Sequence, residues 1–438
     1  MKSQILFFAL LIFCFSNKNS FAQNEGDTAD YYHSNYLRYE NYIYAENIKT
    51  VVLEKYRIEL SDPVVELNSN QQLELTFDDL EGDVKDLSYT YIHCNSDWTP
   101  SQIIVSQYLK SFFEDRITDY TFSFNTVQSY THYKLLFPNE NLSPTLSGNY
   151  ILKVFYTENP DSVVLTRRWM MVDNKVQINA NVKRATIVSD RYSKHEIDFN
   201  IAYSSNLIQN PFSDIKIVVM QNGRWDNAIT NLKPLFLKDN LLDYNYDEEN
   251  VFNAGNEFRT FDTRSLRFQT EFVRKIVEDS TGFHVYVTND QKRSALAYSI
   301  VDDINGRYVN TIYDDRDGEI EGQFVNVHFK LLYAEPIQKG TPYVFGELTD
   351  WRLTKDGKLK YNHDDQAYET VLYLKQGYYN YEYVIVKDGS DQIDETEIEG
   401  NHFETKNNYS IFVYHRPSGG RYDQIIGWKM LNSDNIYR

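Results

Sequence analysis

Apolar side chains recur at every second position in run after run of this chain. Leu73, Leu75 and Phe77 alternate with Gln72, Glu74 and Thr76. Ile197, Phe199, Ile201 and Tyr203 interleave with Glu196, Asp198 and Asn200, and Val325, Val327, Phe329 and Leu331 with Asn326, His328 and Lys330. Tyr150, Leu152, Val154 and Tyr156 lie in a run that is apolar on both faces, with Ile151 and Phe155 between them. Successive side chains of a strand point to opposite faces, so this spacing builds strands with a buried face. Helical spacing is never sustained beyond about three turns, and 106–116 is the nearest approach. Residue usage agrees: 36 Tyr and 26 Phe suit a pleated, half-buried surface, whereas Ala, the best helix former, occurs 13 times. The expected class is all-β, and turn-rich breaks at sandwich spacing predict tandem immunoglobulin-like β-sandwiches.

Two breaks divide the alternation. Arg168-Trp169-Met170-Met171-Val172 ends at Asp173-Asn174, and the acidic turn Asp314-Asp315-Arg316-Asp317-Gly318 precedes a fresh series. The expected sandwiches are therefore 40–173, 174–317 and 318–438, with a poorly defined segment at 23–39. No Pro/Gly/Ser linker separates them, so they are expected to abut. Ahead of them, Lys2 precedes an apolar run over 5–15, and Ser20-Phe21-Ala22 places small residues at both recognition positions of a signal peptidase. Residues 1–22 are read as an export signal cleaved after Ala22. Leu11-Ile12-Phe13-Cys14 imitates a lipid-attachment site only loosely, because bulky Phe13 precedes the cysteine. The run is far short of the roughly 20 apolar residues of a membrane-spanning helix, so no membrane span is expected. Removal of the signal leaves Cys94 as the one cysteine, with no intrachain disulfide and no multi-thiolate zinc site.

The 63 acidic residues outnumber 44 basic ones, for a net charge of −19. Such a surface repels nucleic acid and anionic lipid headgroups, and a charged partner for it presents basic residues. The plainer reading is solubility. The turn at 314–318 fails as a calcium loop: with Gly318 at position six, Tyr313 falls at one and Phe324 at twelve, where acids are required. There is no G-x-S-x-G, no H-E-x-x-H and no Gly-rich phosphate loop. His93 beside Cys94 is the nearest thiol–imidazole couple, but strand neighbours point to opposite faces, and Cys94 is expected to pack inward with Ile92. A glycosidase needs two facing carboxylates, a pair that sequence does not single out among 63 acids. The chain is read as a non-enzyme with no cofactor and no metal.

Near the C-terminus, Tyr343-Val344-Phe345-Gly346-Glu347-Leu348-Thr349-Asp350-Trp351 is followed by Gly377-Tyr378-Tyr379-Asn380-Tyr381-Glu382-Tyr383-Val384. This succession resembles an early-set immunoglobulin-like sandwich of the kind found in starch- and glycogen-binding modules, whose exposed aromatics stack on sugar rings. The resemblance implies an alternative function, periplasmic carbohydrate binding through Trp351 and Tyr379. The competing reading places Trp351 in the core.

Denser constellations run through the chain. They are Tyr91-Ile92-His93-Cys94-Asn95-Ser96-Asp97-Trp98-Thr99-Pro100-Ser101, Ser123-Phe124-Asn125-Thr126, Tyr130-Thr131-His132-Tyr133, Phe137-Pro138-Asn139 and Ser147-Gly148-Asn149-Tyr150. Asn256-Glu257-Phe258-Arg259-Thr260-Phe261-Asp262, read as part of the second sandwich, follows. Glu399-Gly400-Asn401-His402-Phe403-Glu404-Thr405 and Arg421-Tyr422-Asp423 complete the set. Together they resemble the plug-protein family of the type IX secretion system of Bacteroidota. That resemblance implies a periplasmic, non-catalytic protein, monomeric when free. It would sit against the periplasmic opening of the very large outer-membrane β-barrel translocon and close it between rounds of export. The family signature suggests His93, Asn95, Trp98, Tyr130, His132, Tyr133, Arg259 and Asp262 as partner contacts. For His93, Asn95 and Trp98, a turn-stabilising hydrogen-bonded cluster is the competing role. A body of this length has a radius of gyration of roughly 22 Å, too bulky for the lumen of an ordinary porin.

Overall fold

Strands dominate the computed structural model, which describes residues 36–313, 316–390, 392–434 and 436. The export signal, all of 23–35, and Asp314 and Asp315 of the acidic turn lie outside those residues. Among the described residues no helix exceeds one turn. The segment 106–116 holds only Val105–Tyr108 before a strand begins at Leu109.

The first sandwich follows from the alternation. One sheet is built on Leu87–Cys94, Gly148–Tyr156 and Asn159–Val172, and the facing sheet on Ile48–Lys55, Leu73–Asp79, Thr131–Phe137 and Asp119–Phe122. Leu73, Leu75 and Phe77 are fully buried between them, with Trp169 stacked on Tyr150 at 4.7 Å. Burying each such side chain contributes ~1.5–3 kcal/mol, and with Cys94 the one cysteine among the described residues this burial is what holds the sandwich.

Beyond residue 173 the chain departs from the expected division. Ile215–Gln221 pairs antiparallel with Asn408–His415, which pairs in turn with Gln424–Asn432. These strands share one core with the sheet containing Gln177–Arg184 and Lys194–Ala202. The second sandwich is thus made of 174–254 together with 403–436, and the third, 255–402, is inserted into it. The expected division into 174–317 and 318–438 is replaced, because period-two spacing reports which face of a strand is buried but not which distant strand it joins. The insert enters and leaves side by side: the His402 N–H donates to the Gly255 carbonyl at 2.8 Å, and the Asn401 side-chain oxygen accepts from the Gly255 N–H at 2.8 Å. Arg259–Asp262 pairs with Tyr378–Val386, so Arg259 and Asp262 belong to the third sandwich, not the second.

The strands of the first sandwich nearest the second are buried on both faces. Tyr150, Leu152 and Val154 face their own core, whereas Ile151, Met170, Val172 and Cys94 pack with Val218, Met220, Phe412, Tyr414 and Ile425 of the second sandwich. The run that is apolar on both faces, apart from Lys153, is therefore a strand caught between two domains.

Candidate functional site

Most of the eight signature residues suggested as contacts lie inside the molecule, several of them at the seams. His93 is 1% exposed; its Nδ1 meets Ser101 Oγ at 2.6 Å and its ring stands edge-on to Tyr422 of the second sandwich. Burial pushes its imidazole down to about 4, so it is neutral and does not act as a charge at physiological pH. Asn95 accepts from Arg416 at 2.6 Å, and the backbone and hydroxyl of Ser96 both donate to buried Asp423, at 2.9 and 2.8 Å. Trp98 packs edge-on against Trp225 of the second sandwich, with the Arg168 guanidinium over both rings. Cys94 is buried with its thiol pushed up to about 12, which makes it inert.

The seam between the first and third sandwiches is built on Tyr130 and His132. Lys375 of the third sandwich reaches Asp78 at 2.9 Å and the Glu319 carbonyl at 2.6 Å, and lies over the Tyr130 ring at 4.2 Å. His132 Nδ1 meets the other oxygen of Asp78 at 2.7 Å, and the Tyr130 hydroxyl donates to the Gly322 carbonyl at 3.0 Å. Tyr133, fully buried, stacks on Phe77 in the first core. Arg259 joins Glu399 at 3.0 Å and Asp290 at 2.7 Å, while Asp262 pairs with Arg264 at 2.7 Å, all within the third sandwich. Of these side chains, His93, Trp98, Tyr130, His132, Tyr133 and Asp262 are buried and Asn95 and Arg259 half-buried, with their hydrogen bonds made within the chain.

The sugar-stacking reading of Trp351 and Tyr379 loses support in the same way. Tyr379 is 2% exposed and stacks on Phe261 at 5.0 Å. Trp351 packs against Phe258 and Phe345, with the Arg224 guanidinium on its face. Gly306 has φ +78°, and a Cβ there would lie 2.3 Å from the indole, so glycine is required for the ring to sit inside.

All three sandwiches meet at Asp62, which takes Arg307 of the third on one oxygen and Ser410 of the second, at 3.1 Å, on the other. Nearby, burial and then the Glu347 carboxyl push Glu54 up to about 7, against the pull of the Leu60 N–H and Arg307. The folded chain therefore keeps a proton that the unfolded chain releases between about pH 4.5 and 7, and stability falls as pH rises across that window. Glu54→Gln is expected to add on the order of 2 kcal/mol at pH 8 and nothing near pH 4. Urea unfolding at the two pH values checks this, and an equal gain at both would refute the assignment.

What lies open is an aromatic edge of which the sequence reading had noted only Phe124, as part of the signature. Asp115–Ile117 is the last strand of one sheet of the first sandwich and Asp119–Phe122 the last strand of the other, so the segment 109–122 crosses the side of the sandwich. Phe112 is 63% exposed and Phe124 60%, with Phe113, Tyr120 and Phe122 also exposed. Edge strands are normally blunted by charge or covered, because their free backbone invites pairing. The tip is held in place: the Phe124 N–H donates to the Ile320 carbonyl and the Gln323 side chain to the Asn125 carbonyl, each at 2.8 Å. The signal available in sequence was the doublet Phe112-Phe113 and the alternation Tyr120, Phe122, Phe124, whose polar partners are too few to bury the opposite face.

The family model described as Type 9 secretion system plug protein 1st domain matches residues 48–173. A hypothetical protein from Parabacteroides merdae ATCC 43184, solved by crystallography, is 33% identical across 91% of this chain and 100% of its own, with a TM-score of 0.87. The chain belongs to the type IX secretion system plug protein family. Native alpha-2-macroglobulin from Escherichia coli spanning domains NIE-MG1 aligns with 48% of this chain and 99% of its own at 9% identity and a TM-score of 0.17, and nothing follows from it. No curated protein matches the sequence.

Membership of the plug family places the role of this chain in type IX secretion. The family match ends at Asp173, where the first sandwich gives way to the second. It therefore contains the aromatic edge and one side of each seam that the first sandwich makes. No helix among the described residues is long and apolar enough to cross a membrane.

Proposed function

We propose that this protein is a periplasmic plug that seats on the periplasmic opening of the large outer-membrane β-barrel translocon and blocks it when no cargo is exported. The observation that carries the reading is the use of the family signature as mortar: His93, Asn95, Trp98, Tyr130 and His132 join sandwiches to one another. An obstruction needs stiffness rather than a catalytic centre, and the doubly connected third sandwich with buried ion pairs at its seams provides it. The aromatic edge of the first sandwich is the docking face. Its rings offer apolar area at small entropic cost, in a form suited to reversible contact. The protein is non-enzymatic, binds no nucleic acid and is a monomer when free, and a cargo carrier competing for the same rim lowers its occupancy by mass action.

Affinity purification of the tagged protein from solubilised envelopes tests the reading. A very large β-barrel protein is expected to co-elute, and loss of the plug is expected to make the outer membrane leakier to large hydrophilic molecules. A chain that elutes alone from envelopes in which the translocon is intact would overturn the proposal. The glycan-binding alternative has less support: Tyr379 is buried, and half-buried Trp351 has its face covered by the Arg224 guanidinium.

A further inference from the structure

Strand Asp119–Phe122 ends its sheet and is paired on one side only, with Thr131–Phe137. In an antiparallel ladder alternate residues bond to the neighbouring strand, and those between them point their backbone groups the other way. The Ser123 N–H donates to the Tyr130 carbonyl at 2.8 Å, which fixes the phase: Thr121 with His132 and Asp119 with Lys134 are the bonded pairs. The N–H and C=O groups of Tyr120 and Phe122 therefore point away from the sheet, and they meet no partner strand among the described residues. The next outward donor in the series is taken, because the Phe124 N–H goes to the Ile320 carbonyl of the third sandwich at 2.8 Å. The edge thus already pairs with one neighbour at its end, and two outward residues are left.

Natural edges are blunted by lysine, proline or a bulge. Asp119-Tyr120-Thr121-Phe122 contains no Lys and no Pro, its ladder runs without a register shift, and all four residues are exposed. The surroundings are acidic. Glu114, Asp115 and Asp119 lie on the segment itself, and Asp317 and Glu321 of the third sandwich act on neighbouring Tyr130. The nearby cations face acids of their own, Arg116 at 3.7 Å from Asp86 and Lys134 paired with Glu319. A second copy of this chain would bring the same acids to the edge and be repelled, whereas a basic strand is attracted.

We infer that the partner joins this edge as an added β-strand, an extended segment of the translocon in which apolar residues alternate with Lys or Arg. The inference rests on the plugging role proposed above and gives that contact its form. Main-chain bonds to Tyr120 and Phe122 supply affinity, and alternate side chains of the added strand lie against the two rings. Ile320 on the Phe124 N–H closes the edge at that end, so the added strand cannot slide past Phe122 and its register is set. The third sandwich also holds the edge extended before the partner arrives, which lowers the ordering cost of pairing.

Hydrogen exchange of the full chain, alone and bound to the solubilised translocon, tests this without any variant. The Tyr120 and Phe122 amides are expected to exchange quickly in the protein alone and at least tenfold more slowly in the complex. A variant pair reads the same contact. Tyr120→Pro removes an outward N–H and no ladder bond, and Tyr120→Ala removes the same ring but keeps the N–H. With matching unfolding midpoints, the proline variant is expected to capture the barrel at least tenfold more weakly than the alanine variant, and capture by wild type is expected to weaken as salt rises. Equal capture by the two variants, or amides no slower in the complex, would overturn strand addition and leave the plugging role standing. A wild-type chain that captures no barrel would overturn both. A dimer of the protein alone that Tyr120→Pro abolishes would overturn the partner by assigning the edge to a second copy, and capture indifferent to salt would overturn its basic character.

Discussion

Replacing Lys375 with methionine is expected to cost about 3–5 kcal/mol of stability and to loosen the third sandwich from the first. The side chains of Lys375 and Asp78 are 1% and 0% exposed, so bulk solvent does not reach the pair to take over from the ammonium. Methionine fills the volume but leaves one Asp78 oxygen buried with a negative charge and no donor, since His132 serves the other. It also strips the cation from the Tyr130 ring. Urea unfolding reads the loss, and proteolysis should open cleavage near 316–323, where the third sandwich touches the first. The double variant Asp78→Asn with Lys375→Met removes both charges and is expected to recover part of the loss, as coupled neighbours do. A single-variant loss below about 1 kcal/mol would show that the seam is held by its apolar contacts and not by this pair.

The reason such a pair escapes a sequence reading also marks how far that reading reaches. Period-two spacing identified strands and their buried faces correctly: Leu73, Leu75 and Phe77, Ile197, Phe199 and Ile201, and Val325, Val327, Phe329 and Leu331 all lie in cores. It did not reveal that residues 403–436 return to the second sandwich, because the pairing of Ile215 with His415 spans the whole insert. The run at Tyr150–Tyr156, apolar on both faces but for Lys153, is legible as unusual, and the structure supplies its cause, a second sandwich on the outer face. His93 next to Cys94 illustrates the same point. The two do point to opposite faces as strand neighbours must, yet both are buried, since each face meets a core. The family resemblance correctly named the lineage, and most of the residues it suggested as contacts are buried within the chain. In this body several of those residues make contacts across the seams.

If the aromatic edge is the docking face of the plug, Phe112→Asp combined with Phe122→Asp is expected to weaken capture of the translocon at least ~100-fold while leaving stability within about 0.5 kcal/mol. Both rings are more than half exposed, so the native core loses nothing when they are replaced. In the complex the same rings would sit in desolvated pockets. Truncation there commonly costs ~2 kcal/mol or more per anchor, and two anchors account for the expected factor. Aspartate adds the cost of burying a carboxylate against an apolar wall. It also blunts the free edge of Asp119–Phe122, as natural sheets do to prevent strand pairing. Val188→Asp is the control, because Val188 is 74% exposed on the second sandwich and lies away from this edge. Co-purification with the barrel should fall for the first variant and hold for the second, with the unfolding midpoints of both matching the parent. Equal loss in both would mean that added negative charge on an already acidic body repels the rim. No loss in either would move the docking face off the first sandwich altogether, while leaving the welded three-sandwich body, and hence occlusion by shape, to be seated by another side.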